Sequence, residues 1–79
     1  MRTNKKEVVV KVGNSKDFGA AIRNRRKELG YTQSYIARIS GFSVSFISDL
    51  ENGKTTAELG KAVFLANLLG MDVEVSNRG

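Results

Sequence analysis

Four glycines divide this chain into segments that each have room for only a short helix. Gly30, Gly41, Gly53 and Gly70 each follow a stretch with apolar residues at helical spacing. Glycine most easily adopts the left-handed backbone conformation that ends a helix. The 79 residues contain no proline, so glycine is the main marker of segment ends. The sequence therefore predicts four short helices in one small domain.

The first predicted helix begins at the N-cap Ser15. The second runs from Gln33, after the N-cap Thr32, to Ser40. The third follows the N-cap Ser43 and ends near Glu51. Their inward faces carry apolar residues at helical period: Phe18, Ala21, Ile22, Leu29, Ile36, Ala37, Ile47 and Leu50.

The fourth predicted helix begins at the N-cap Thr56 and ends at Leu69. One apolar stripe is assigned to the core: Leu59, Ala62, Val63, Ala66 and Leu69. A second stripe beside it consists of Phe64, Leu65 and Leu68. Because a monomer this small would expose the second stripe, it is predicted to lie in an oligomer interface.

Both termini have strand patterns instead. Residues 7–12 are rich in valine, and Met71, Val73 and Val75 alternate with polar residues at the period of a half-buried strand. An unpaired strand favours pairing with a second copy of itself. The predicted fold is mainly α, with four or five short helices and terminal strands that form an intermolecular sheet in a dimer. Its parts are a basic arm and strand (1–14), a helical domain (15–70) and a dimerisation strand and tail (71–79).

Composition removes most other classes of function. The chain has no Cys and no His, so thiol nucleophiles, imidazole bases and the usual zinc ligand sets are absent, and no enzyme activity, metal or cofactor is expected. The net charge of +5 makes nucleic acid the first partner to consider. The apolar run at residues 62–66 is far too short to span a membrane, which predicts a cytoplasmic protein.

The second and third helices, joined by a turn at Gly41, form a predicted helix-turn-helix, whose second helix fits the major groove of DNA. Short side chains at the start of that helix let its backbone approach base edges. Ser43, Val44, Ser45 and Ser48 have this character. Asp49 follows them on the same helix, where its carboxylate is repelled by phosphate unless it accepts from a cytosine amino group or orients an arginine.

Several linked positions resemble the lambda-repressor-like, or Xre-type, helix-turn-helix family. They are Thr32-Gln33-x-x-Ile36-Ala37, Gly41-Phe42-Ser43 and Ile47-Ser48-x-Leu50-Glu51-Asn52-Gly53-Lys54. The resemblance implies phosphate contacts for Gln33, Asn52 and Lys54. It also implies an ion pair between Arg26 and Glu51, whereas Arg25 stands where the family more often has an apolar residue.

The pattern from Leu69 to Val75 is similar to the HipB-like antitoxin branch of this family. That resemblance implies an autoregulating repressor of a toxin–antitoxin operon, a homodimer on a palindromic operator in double-stranded DNA, and a HipA-like toxin kinase as partner. The alternatives are a free-standing phage or restriction-type Xre regulator, a toxin-binding module with secondary DNA binding, and a small basic RNA-binding protein. The sequence leaves open the roles of Arg25 and Asp49 and the pairing partner of residues 8–12.

Overall fold

The computed structural model describes residues 9–54 and 58–79, and its regular secondary structure consists of four helices. These are α1 (Ser15–Glu28), α2 (Gln33–Ser40), α3 (Val44–Glu51) and α4 (Leu59–Leu68). The predicted mainly helical fold, with a helix-turn-helix at its centre, is confirmed. None of the described helices is both long and apolar enough to cross a lipid bilayer.

Local signals set most of the helix ends. Gly30, Gly41, Gly53 and Gly70 all have φ between 77° and 82°, the left-handed conformation expected where a helix ends. The hydroxyls of Thr32 and Ser43 cap α2 and α3, each accepting a backbone N–H at 3.0 Å. The second and third helices therefore begin where the sequence predicts.

The N-caps of α1 and α4 are Asn14 and Glu58. The N-cap of α1 is Asn14 and not Ser15, because Asn14 has extended backbone and its Oδ1 accepts the N–H of Asp17 at 2.8 Å. Thr56, predicted to cap the fourth helix, lies outside the described residues. Helix α4 begins at Leu59, with Glu58 at the N-cap position and no capping bond from its side chain.

The core joins all four helices. Its buried apolar residues are Ile22, Ile36, Ile47, Leu50, Ala62, Leu65, Ala66 and Leu69. Tyr31 and Phe42 pack against this cluster. Helix α3 packs against both α1 and α2, and its buried face carries Ile47 and Leu50. This packing fixes the orientation of α3 and leaves its opposite face to solvent.

Helix α4 buries Ala62, Ala66 and Leu69 of the predicted core stripe, but differs from the prediction at two positions. Leu65 is fully buried, so it belongs to the core and offers no area to an oligomer interface. Leu59, assigned to the core from the sequence, is 76% exposed at the start of the helix. Residues 62–66 are all apolar, so their periodicity does not single out a face, and packing against the other helices decides it.

The terminal segments contain no helix and no strand among the described residues 9–13 and 71–79. Glu7 and Val8, at the start of the predicted N-terminal strand, lie outside the described residues. A sheet between two subunits needs a second copy, which is not part of this structure. The intermolecular sheet therefore stays a prediction.

Candidate nucleic-acid interface

The N-terminal half of α3 presents short side chains to solvent. Ser43 and Ser45 are exposed, Val44 is 43% exposed, and Ser48 is half-buried. Ile47, on the opposite side of the helix, is fully buried. The exposed face is therefore one that a groove of DNA can approach closely, since no long side chain stands between the backbone and a ligand at these positions.

An ion pair holds the C-terminal end of α3 against α1. The guanidinium of Arg26 donates from Nε to Oε2 of Glu51 at 2.7 Å and from Nη2 to Oε1 at 2.9 Å. Its Nη1 donates to the carbonyl oxygen of Tyr31 at 2.9 Å, which ties the pair to the loop before α2. The contact predicted between Arg26 and Glu51 is present, and it is bidentate and buried.

Gln33 joins this cluster from the start of α2. Its Nε2 donates to Oε1 of Glu51 at 3.0 Å. A side-chain amide has two N–H groups, so this bond leaves one of them for a second acceptor. The sequence did not predict the bond to Glu51, because Gln33 and Glu51 are 18 positions apart and meet only through helix packing. The phosphate contact predicted for Gln33 stays a prediction.

The cluster keeps Glu51 ionised. Burial of this carboxyl favours its neutral form, but the hydrogen bonds from Arg26 and Gln33 outweigh burial, and the pKa of Glu51 is lowered from its ordinary value. The same hydrogen bond raises the pKa of Arg26. Both charges therefore persist at neutral pH, and the end of α3 is held by a charged pair.

Asp49 and Lys54 form an exposed pair at the end of α3. The Lys54 Nζ lies 3.7 Å from Oδ1 of Asp49, and the Lys54 backbone N–H donates to the Asp49 carbonyl oxygen at 3.0 Å. Asn52, the C-cap residue of α3, is exposed beside them. The carboxylate of Asp49 thus has the ammonium group of Lys54 beside it.

Arg25 has a structural contact that the sequence did not reveal. Its Nε donates to the carbonyl oxygen of Leu69 at 2.9 Å, and its Nη1 lies 3.1 Å from Oε1 of Glu28. Arg25 therefore ties the C-terminal end of α4 to α1. No local signal identifies this contact, since its partner is a backbone carbonyl 44 positions away.

The residues predicted for a dimer interface are only partly on the surface. Phe64 is 50% exposed and Leu68 38% exposed on α4, whereas Leu65 is buried in the core. Phe64 also contacts Phe42, with ring centroids 5.8 Å apart. Met71 packs against the core, and Val73 and Val75 are exposed. Phe64 and Leu68 retain apolar area for a partner, and Leu65 does not.

Titratable residues do not gather into a metal site in the part of the chain that the structure describes. No group of three or more His, Cys, Asp or Glu side chains is close enough there to hold an ion.

A family model described as Helix-turn-helix matches residues 22–75. Among similar proteins, the uncharacterized HTH-type transcriptional regulator y4mF of Sinorhizobium fredii is 39% identical over 59 residues, which cover 75% of this chain and 78% of that protein. The ImmF control region 10 kDa protein of Bacillus phage phi105 is 36% identical over 58 residues, covering 70% of this chain and 64% of that protein.

Solved structures share the fold. A HipB–O2 20mer complex aligns with a TM-score of 0.81 and 19% identity, covering 91% of this chain and 100% of that one. A HipA–HipB–O2–O3 complex aligns with a TM-score of 0.78 and 22% identity, covering 87% of this chain and 97% of that one. At these identities the likeness establishes the shared arrangement of helices.

Proposed function

The chain belongs to the helix-turn-helix family of DNA-binding regulators, which is not an enzyme family, and from this premise we propose that it is a sequence-specific transcriptional repressor. In this proposal a homodimer binds a palindromic operator in double-stranded DNA in the cytoplasm. The α3 helix of each subunit enters the major groove, and two such helices reach grooves about 34 Å apart.

The observation that carries the proposal is the exposed N-terminal face of α3. Val44 offers a methyl group to thymine, and the hydroxyls of Ser45 and Ser48 accept from or donate to base edges. The buried pair of Arg26 and Glu51 holds the other end of the helix, so this face is presented at a fixed angle. Rigid support of this kind keeps the side chains that would read bases in a fixed position.

Three residues around α3 are assigned to the phosphate backbone. Gln33 uses the N–H that is not bonded to Glu51, and Asn52 and Lys54 approach phosphate from the end of α3. Lys54 exchanges its exposed partner Asp49 for a phosphate at little cost, because exposed ion pairs contribute about 0–1 kcal/mol. Asp49 is then free to accept from a cytosine amino group.

Replacement of Ser45 by Glu tests this assignment. The new carboxylate would stand on the face that meets DNA, so specific binding should be lost while the melting temperature is retained. Gel-shift titration with DNA from upstream of the chain's own gene measures binding. Asn67→Glu, an exposed position on α4, is the matched control and should keep most of the affinity. Equal DNA affinities of the two variants would show that α3 does not enter the major groove.

Within this function, we assign the protein to an autoregulating antitoxin of the HipB-like branch, with a HipA-like toxin kinase as its second partner. The fold likeness to HipB complexes over most of the chain supports this assignment. The relative from the control region of a Bacillus phage supports the alternative, a free-standing phage regulator.

Co-expression distinguishes the antitoxin from the phage regulator. An antitoxin should restore growth to cells that express the neighbouring reading frame, and it should co-purify with that product. If the neighbouring product is harmless alone and does not co-purify, the phage-type regulator is the correct assignment.

A further inference from the structure

Lys61, in the first turn of α4, is held over two aromatic rings beside α3. Its Nζ lies 5.7 Å from the centre of the Phe46 ring and 5.9 Å from the centre of the Phe42 ring. The two rings meet edge to face, with centroids 5.1 Å apart. An ammonium group within about 6 Å of a ring centre is attracted to the ring face. The rings therefore fix the position of a cation that belongs to a different helix.

The ammonium group of Lys61 is accessible to an anion from solvent. The side chain is 47% exposed, and its Nζ lies 3.7 Å from Oε2 of Glu58, whose side chain is 70% exposed. Ion pairs as exposed as this one are weak, so a phosphate group can replace the carboxylate of Glu58. Phosphate oxygens accept charge-assisted hydrogen bonds from an ammonium group. Lys61 is thus a cation that is positioned by the rings and available to a ligand.

Helical geometry places Lys61 and Gln33 on opposite sides of α3. Successive residues lie about 100° apart around a helix. Measured from the buried Ile47, Glu51 lies about 40° to one side and Phe46 about 100° to the other. Gln33 is bonded to Glu51, and Lys61 lies over Phe46. The exposed face of α3 therefore lies between these two contacts.

The two walls of a major groove are the phosphate backbones of different strands, and a helix in the groove turns one side to each wall. We propose that Lys61 binds a phosphate of the strand opposite to the one that Gln33 contacts, so that α3 is held from both walls. The inference rests on the DNA binding in the proposed function and deepens it by adding a contact from α4. The motif that suggested phosphate contacts for Gln33, Asn52 and Lys54 ends before this helix.

Lys61→Met tests the contact by gel-shift titration at several salt concentrations. Methionine keeps an unbranched apolar chain against Phe42 and Phe46 without the charge, so the melting temperature should change little. Affinities for the operator and for a duplex of scrambled sequence should fall by the same factor, because phosphate contacts carry no sequence information. The slope of log affinity against log salt concentration should become less steep by about 1 for each bound subunit. An unchanged slope would overturn the inference.

Arg38→Met is the matched control. Arg38 is also a cation over an aromatic ring, 5.4 Å from the centre of Tyr35, but it lies on α2. It is about 140° around that helix from Gln33, and therefore on the side away from α3. This variant removes the same charge and should keep the natural slope, as should Lys61→Arg, which retains a cation over the rings. An equal change of slope in Lys61→Met and Arg38→Met would show an effect of net charge alone and would overturn the inference.

Uncharged phosphates test the assignment to opposite strands. In a series of operator duplexes, each phosphate in turn is replaced by a neutral methylphosphonate. Replacement of the phosphate that Lys61 contacts should weaken binding by the natural protein and have no effect on Lys61→Met. The same comparison with Gln33→Ala identifies the phosphate that Gln33 contacts. Within one half-site the two phosphates should lie on different strands, and two phosphates on one strand would overturn the inference.

The natural chain, measured beside the variants, separates failure of this inference from failure of the proposed function. A natural chain that binds neither the operator nor the scrambled duplex would defeat DNA binding itself, and the contact from α4 with it. If the natural chain binds its operator and Lys61→Met matches it in affinity and in slope, only the contact from α4 is overturned.

Discussion

At the scale of single residues, the approach of α1 to α3 depends on Gly19. This glycine is buried where α1 meets the C-terminal end of α3. A Cβ atom at this position would clash with the carbonyl oxygen of Leu50 and lie 2.8 Å from that of Glu51. Both oxygens belong to the backbone, so a helix must move to relieve the clash.

We therefore expect Gly19→Ala to lower the free energy of unfolding by about 1–3 kcal/mol, the usual cost of overpacking. Chemical denaturation measures the change. Gly60→Ala is the control, because a Cβ there meets no atom within 4 Å and alanine favours the helix by up to about 1 kcal/mol. Equal destabilisation of both variants would show that the close approach of the two helices at Gly19 does not limit the residue at this position.

The buried ion pair of Arg26 and Glu51 leads to a second prediction at the scale of single residues. Arg26→Ala leaves the carboxylate of Glu51 without its main partner, which should cost about 3 kcal/mol. Thermal melting measures the loss, with Lys27→Ala, an exposed cation beside it, expected to melt like the natural protein. If Arg26→Ala melts unchanged and only loses DNA affinity, Arg26 is a phosphate contact.

The lowered pKa of Glu51 predicts the pH dependence of stability. In the unfolded chain a Glu titrates near about 4.3, so the contribution of this carboxylate is complete above that value. It is lost as the pH falls through the lower pKa of the folded state. Melting temperatures should therefore fall more steeply below pH ~4.3 in the natural protein than in Glu51→Gln. Parallel profiles would contradict the lowered pKa.

At the scale of elements, α2 and α3 are matched short helices with hydroxyl caps. Each has eight residues, and each cap accepts one backbone N–H at 3.0 Å. Helices this short do not persist without capping and packing. We assign the two helix starts to different parts of DNA, the start of α3 to base edges and the start of α2 to phosphate.

Thr32→Ala and Ser43→Ala should therefore have the same cost in stability and different effects on DNA. Each should lose about 1 kcal/mol of unfolding free energy, since each removes one cap. Only Ser43→Ala should reduce the ratio of operator to scrambled-site affinity. Gel shifts on both probes measure that ratio. If Thr32→Ala reduces the ratio as much as Ser43→Ala does, Ser43 does not contact base edges.

At the scale of the whole molecule, the C-terminal segment is expected to build the dimer. Deletion of residues 71–79 removes Met71 from the core and the exposed Val73 and Val75 from the surface. The truncated chain should be monomeric or unfolded and should lose cooperative operator binding. Sedimentation equilibrium is the measurement, and a truncated chain that remains a stable dimer would contradict the prediction.

The sequence determined the features that depend on neighbouring residues. The ends of α2 and the start of α3 followed from Thr32, Gly41 and Ser43, because an N-cap hydroxyl and a left-handed glycine act within one turn of chain. A motif of fixed spacing carried the resemblance to the family, and that resemblance implied the contact of Arg26 with Glu51. The short side chains at the start of α3 were also predicted, because they directly follow the N-cap Ser43 in the sequence.

Only the tertiary structure decided which faces and partners those elements use. Leu65 is in the core and Leu59 is not, because the apolar run at residues 62–66 does not single out a face until other helices pack on α4. Arg25 reaches the Leu69 carbonyl and Gln33 reaches Glu51 across long separations in sequence. Contacts of this kind depend on the relative placement of whole helices, and no local pattern encodes that placement.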